Sequence, residues 1–175
     1  MSRSQLGLRL LLCLASLTFL GLALAFSPHP IIVAAVAILA LTAYAAVEPD
    51  SVLVTVLLGA QALHWAAAVP VPVTTGQWVA VLGAAWCGLV LHLSASLAAS
   101  LPGPAPVPRD SLRRWARRGG LVAAGTVPVW AVARLAGQEG ATGRVSLTYA
   151  AIAGMALLSF AVWLLSREDR PGPRH

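Results

Sequence analysis

Apolar residues run along this chain in blocks close to bilayer length, separated by short clusters of turn-forming residues. Across residues 10–108 the only formally charged side chains are Glu48 and Asp50. A spanning helix needs about 20 predominantly apolar residues, and a window of that size marks six candidate spans at 10–26, 31–47, 52–69, 78–99, 121–135 and 145–165. The pattern predicts an all-α, polytopic transmembrane helical bundle forming a single integral membrane domain. The breaks are built from helix-stopping chemistry: Ser27, Pro28, His29 and Pro30, then Glu48, Pro49, Asp50 and Ser51, then 70–77 with Pro70 and Pro72. Proline lacks an N–H and restricts the residue before it, so each break ends a helix, and connections this short predict antiparallel neighbours. The fifth break, 136–144, carries Gly137, Gly140 and Gly143, and Pro128 predicts a kink in the fifth span.

Charge sets the expected orientation. All 12 basic residues are arginine. With the N-terminus inside, the inner side collects Arg3, Arg9, Arg109, Arg113, Arg114, Arg117, Arg118, Arg167, Arg170 and Arg174, leaving only Arg134 and Arg144 outside. Cytoplasmic loops retain positive charge, so the expected location is the cytoplasmic (plasma) membrane, with both termini and the polar tail 166–175 on the cytoplasmic side. A competing expectation comes from Arg3 and Arg9, the apolar run after them and Ala23-Leu24-Ala25, which together have the layout of a cleavable signal peptide. Cleavage would leave five spans.

Composition narrows the class further. Charged residues are 10% and hydrophobic ones 58%, whereas about a quarter of the residues in a soluble domain are charged. The net charge of +6 does not indicate a nucleic-acid partner, because the arginines flank apolar runs instead of covering a solvated fold. Cys13 and Cys87 lie inside apolar runs, which indicates packing and neither a redox pair nor a disulfide framework.

One polar element is patterned. In the fourth break, 101–118, Leu112, Trp115 and Ala116 share one side of a helical wheel, and Arg113, Arg114, Arg117 and Arg118 share the other. This predicts a short basic amphipathic helix in a cytoplasmic loop, capped by Asp110 or Ser111 and separated from the fifth span by Gly119-Gly120. Trp115 belongs at headgroup depth, and each arginine near an anionic leaflet contributes about 1 kcal/mol. The four arginines determine topology under the positive-inside rule, and with Trp115 they form a candidate docking site for anionic lipid or an acidic cytosolic protein.

Within the spans, ionisable and amide groups are few. No Asp, Glu or Lys lies mid-span, which argues against ion-coupled transport through buried carboxylates. Gln61 and His64 share a face of the third span. Counting about 1.5 Å per residue, Gln61 lies level with Cys87 on the fourth, so a hydrogen bond from Gln61 or His64 to the region of Gly83, Trp86 or Cys87 is expected. Gln61, His64 and Trp86 are therefore the candidate intramembrane polar spot. His64 and His92 lie about 12 Å apart in depth by the same count, which argues against their clamping a haem or metal. Ser94, Ser96 and Ser100 lack an orienting carboxylate and are expected to bond their own backbone. Ala84 with Gly88, and Ser146, Ala150 and Gly154, place small residues four apart, where helices approach closely.

No catalytic, metal or nucleotide motif stands out, and no cofactor is expected. The reading that follows is a small multi-pass membrane protein acting without catalysis as an accessory or scaffold subunit of a membrane assembly, with other membrane proteins as partners. The alternative is a small transporter or lipid-handling protein for neutral or amphipathic substrates. A membrane enzyme would have only His64 or His92 as acid–base groups.

Overall fold

The computed structural model describes residues 2–49, 51–100 and 107–138, and every element in them is helical: α1 (Arg3–Phe26), α2 (Ile32–Val47), α3 (Leu53–Ala68), α4 (Thr75–Ala99) and α5 (Arg109–Gln138). The expected sixth span and the polar tail lie outside the described residues. The chain divides into two compact units, Met1–Gly120 and Leu121–His175, and the helices α1 to α4 belong to the first.

Side-chain caps set the starts of α1 and α4. The Ser2 hydroxyl accepts from the Gln5 amide at 3.3 Å and opens α1 seven residues before the expected span. Thr74 and Gln77 form a reciprocal box: the Thr74 hydroxyl accepts from the Gln77 amide, and Gln77 Oε1 accepts from the Thr74 amide at 3.0 Å. That box starts α4 at Thr75, three residues ahead of expectation. Helix ends fall where the prolines put them, at Phe26 before Ser27-Pro28 and at Val47 before Glu48-Pro49.

Length then separates the helices. At about 1.5 Å per residue, α1 and α4 extend about 36 Å, while α2 and α3 extend about 24 Å against a hydrocarbon core of about 30 Å. Among the described helices, α1 and α4 are both long and apolar enough to cross a membrane. Six full-length spans are therefore not what the described residues show.

Packing makes α1 the hub, in contact with α2, α3 and α4 and most extensively with α4. Pairings along α1 give the directions. Ser16 meets Thr42 at 2.7 Å and Arg9 meets Val47 at 2.8 Å, so α2 runs antiparallel to α1. Ser16 meets Gln61, and Phe19 stacks edge-on against Trp65 at 5.9 Å, so α3 runs parallel to it. A Cβ placed on Gly83 would touch Leu22 and one on Gly88 would touch Phe19, so α4 returns antiparallel, held close by small residues as the Ala84–Gly88 spacing predicted. The core of this unit is filled by Leu12, Leu20, Ile38, Leu57 and Leu91, all essentially inaccessible.

The outer surface is apolar as well. Leu10, Leu14, Val33, Val36 and Leu63 are all exposed, while Ser16, Thr42, Gln61, His64 and Ser94 are buried. Large contiguous apolar surface is disfavoured in water, and polar groups turned inward are what lipid demands. With α1 and α4, this sorting points to a membrane location.

The basic segment departs from expectation. It is no separate short helix in a loop: residues 109–118 are the opening turns of α5, which continues through Gly119-Gly120 and Pro128 to Gln138. Neither Asp110 nor Ser111 caps the helix from outside, because α5 already begins at Arg109 and Asp110 lies in its first turn, where its charge suits the helix dipole. Gly119 is not a linker but a contact. It is buried, and a Cβ there would lie 2.6 Å from Leu93 Cδ1 on α4. Gly120 faces open space.

The two glycines should therefore respond oppositely. Gly120→Ala is expected to raise thermal stability in detergent, by up to about 1 kcal/mol from helix propensity. Gly119→Leu is expected to lower it, with Leu93→Ala restoring part of the loss; equal responses at both positions would contradict the Gly119–Leu93 contact.

Candidate functional site

Buried polar groups converge on one level of the bundle. Thr42 Oγ1 donates back to the Ile38 carbonyl at 2.8 Å, which uses its only proton. Ser16 Oγ, 2.7 Å away, must then donate to Thr42 Oγ1. Ser16 in turn accepts from Gln61 Nε2, at 2.9 Å on its hydroxyl and 3.0 Å on its backbone carbonyl. A directional chain thus runs from α3 through α1 to α2, and both Gln61 N–H groups are used.

The expected partner on the fourth helix is overturned. Both hydrogen bonds of the Gln61 amide nitrogen go to Ser16 on α1, because the face that carries Gln61 meets α1, a parallel neighbour that counting depth from helix ends did not consider. Trp86 is exposed on α4. The buried spot consists of Gln61 and His64 with Ser16 and Thr42.

His64 is the unresolved member. It is 4% exposed, and neither Nδ1 nor Nε2 has a hydrogen-bond partner; one turn earlier, Gln61 Oε1 is buried and unpartnered too. The side chain next in sequence, Leu63, is 72% exposed. His64 also forms part of the wall of a groove between α2 and α3. A neutral imidazole carries one donor and one acceptor, so this position holds hydrogen-bonding capacity that the fold itself leaves unused.

Other candidates resolve into structure. His92 is exposed and not part of that groove. Ser94, Ser96 and Ser100 donate to the carbonyls of Leu91, His92 and Leu97 on their own helix. Cys13 and Cys87 are free and half-buried. Among the described residues, no group of three or more His, Cys, Asp or Glu side chains is placed to hold a metal.

At the end of the bundle where α1 begins and α2 and α4 finish, arginines gather. Arg9 Nη1 donates to the Ala46 and Val47 carbonyls, both at 2.8 Å, and so caps the C-terminus of α2, a role that charge counting missed. The Val107 amide donates to Ser4 Oγ at 3.1 Å, bringing the start of α5 to the same end. There Trp115 packs against Leu8, Leu97 and Ala98, while Arg113, Arg114, Arg117 and Arg118 are exposed. The opposite end, at 27–31 and 69–74, has no Arg, Asp or Glu. Further along α5, the Arg134 guanidinium lies 5.7 Å over the Trp130 ring.

No protein-family model, curated protein or solved structure matches the chain.

The Ser16–Gln61 pair is open to a double-mutant cycle. Ser16→Ala and Gln61→Leu, singly and together, are expected to give a coupling of about 0.6 kcal/mol and no more than about 1.7 kcal/mol in detergent unfolding, the range for such bonds between membrane helices. Additive effects would remove the chain from the account of α3 docking.

Proposed function

We propose that this protein is a small multi-pass protein of the cytoplasmic membrane, both termini inside, that acts without catalysis as an accessory or scaffold subunit of a membrane assembly. One observation carries the reading: hydrogen-bonding side chains join one helix to another, while the surface offered outward is apolar helix faces plus the exposed arginines at the start of α5. Ser16, Thr42, Gln61 and Arg9 hold helices together. The apolar faces suit lipid and neighbouring spans, and the basic face suits an anionic leaflet or an acidic cytosolic protein. In this reading α2 and α3, shorter than the hydrocarbon core, cross it by local thinning of the bilayer.

A second reading, a transporter or lipid-handling protein for neutral or amphipathic substrates, is favoured by one observation: His64 lines a groove while its nitrogens lack partners.

Purification of a C-terminally tagged protein at native expression level in mild detergent, followed by mass spectrometry of proteins and lipids, tests the primary reading. A stoichiometric protein partner is expected, and it should be lost when Arg113, Arg114, Arg117 and Arg118 are changed together to Gln. Recovery of a lone protein that moves solute in reconstituted vesicles would overturn it.

A further inference from the structure

The groove between α2 and α3 has a volume of about 290 Å³. Its walls carry alanines, Ala34 and Ala37 on α2 and Ala60 and Ala67 on α3, whose side chains end at Cβ and leave the space between them open; His64 is the polar residue among those lining it. The volume lies just below the ~300–1,000 Å³ found for ligand sites, a size that suits one hydrocarbon chain. No charged residue lines the groove, so a charged headgroup would be stripped of water without a counterion.

His64 provides the recognition chemistry. Its ring is buried, both nitrogens are unpartnered, and Gln61 Oε1 one turn away is a second orphaned acceptor. A half-turn about χ2 exchanges Nδ1 with Cδ2 and Nε2 with Cε1 within the same ring outline, so the imidazole can turn a nitrogen toward the groove without displacing its neighbours. One N–H donor beside acceptors is the complement of a hydroxyl, which offers one proton and accepts another.

We propose that the α2–α3 groove binds a neutral single-chain amphiphile, its hydrocarbon chain against Ala37 and Ala60 and its hydroxyl-bearing head hydrogen-bonded to His64. The inference rests on the amphiphile-handling reading and names the site and ligand class for it. Lipid supplies such molecules at high local concentration, and an orphaned imidazole selects those with a head that can meet it.

The test uses the full-length protein in nanodiscs and a twelve-carbon monoacylglycerol carrying a photoreactive diazirine in its chain. Saturable labelling is expected on peptides from α2 and α3. His64→Leu should weaken labelling about tenfold, the loss of a hydrogen bond to a buried group, and should raise the melting temperature because it removes buried polar atoms that lack partners. Ala60→Leu, which fills the groove, should abolish labelling with His64 intact. Competition on the unaltered protein gives a result independent of any variant's folding: unlabelled monododecanoylglycerol should displace the probe and dodecane should not. Equal displacement by dodecane, or labelling indifferent to His64→Leu, would overturn recognition by His64. Labelling indifferent to Ala60→Leu would overturn the groove. A fall in melting temperature on His64→Leu with labelling intact would mark the imidazole as a structural group bonded through water, and would overturn the proposal. Vesicle flux of the same probe separates the site from the reading beneath it: binding without movement overturns amphiphile handling and leaves the site standing, whereas absence of binding overturns the site whatever the flux.

Discussion

One hydroxyl holds three helices in register. Ser16 accepts from Gln61 on α3 and donates to Thr42 on α2, and on neighbouring turns of α1 lie Leu12 and Leu20, buried in the core. Inside a bilayer apolar surface gains nothing by moving from lipid to protein, so helix association relies on close packing and on bonds of this kind. Serine is small enough to let the helices approach and polar enough to fix their rotation. A larger side chain at residue 16 would separate α1 from both neighbours, and an apolar one would leave the Gln61 amide with only a backbone carbonyl.

The same sorting explains the rest of the first unit. Glycine and alanine on α4 bring it against α1, Gly119 brings α5 against Leu93, and leucines and valines that no neighbour covers form the outer surface. His64 and Leu63, adjacent in sequence, fall on opposite sides of this arrangement, one buried and the other exposed. The arrangement is that of a soluble protein turned inside out only in part: the core is still mostly aliphatic, and its polar members are few, local and directional.

Much of this was legible in the sequence because it depends on hydropathy and proline. The ends of α1 and α2 follow from Pro28 and Pro49, and the Gln61–His64 pair stands out because polar residues are so scarce around it. Helix starts were legible too, in Ser2 with Gln5 and Thr74 with Gln77, but their signal is a three-residue spacing that a bilayer-length window averages away. What the sequence could not carry was neighbour identity. Depth along a helix places Gln61 and Cys87 level with each other, yet a helix in a bundle has several neighbours at every level, and which one faces Gln61 depends on rotation about the helix axis. Gly119 was hidden for the same reason: two adjacent glycines read as a separator until the position of Leu93 is known.

Arg9 links the order of synthesis to the fold. Its guanidinium holds the Ala46 and Val47 carbonyls, 37 and 38 residues downstream, so this capping bond cannot form until α2 has been made. The smallest segment that contains both ends of this bond is the complete α1–α2 pair. Docking of α1 on α2 and closure of the C-terminus of α2 are thus one event, fixed by a side chain made before the helix that it caps.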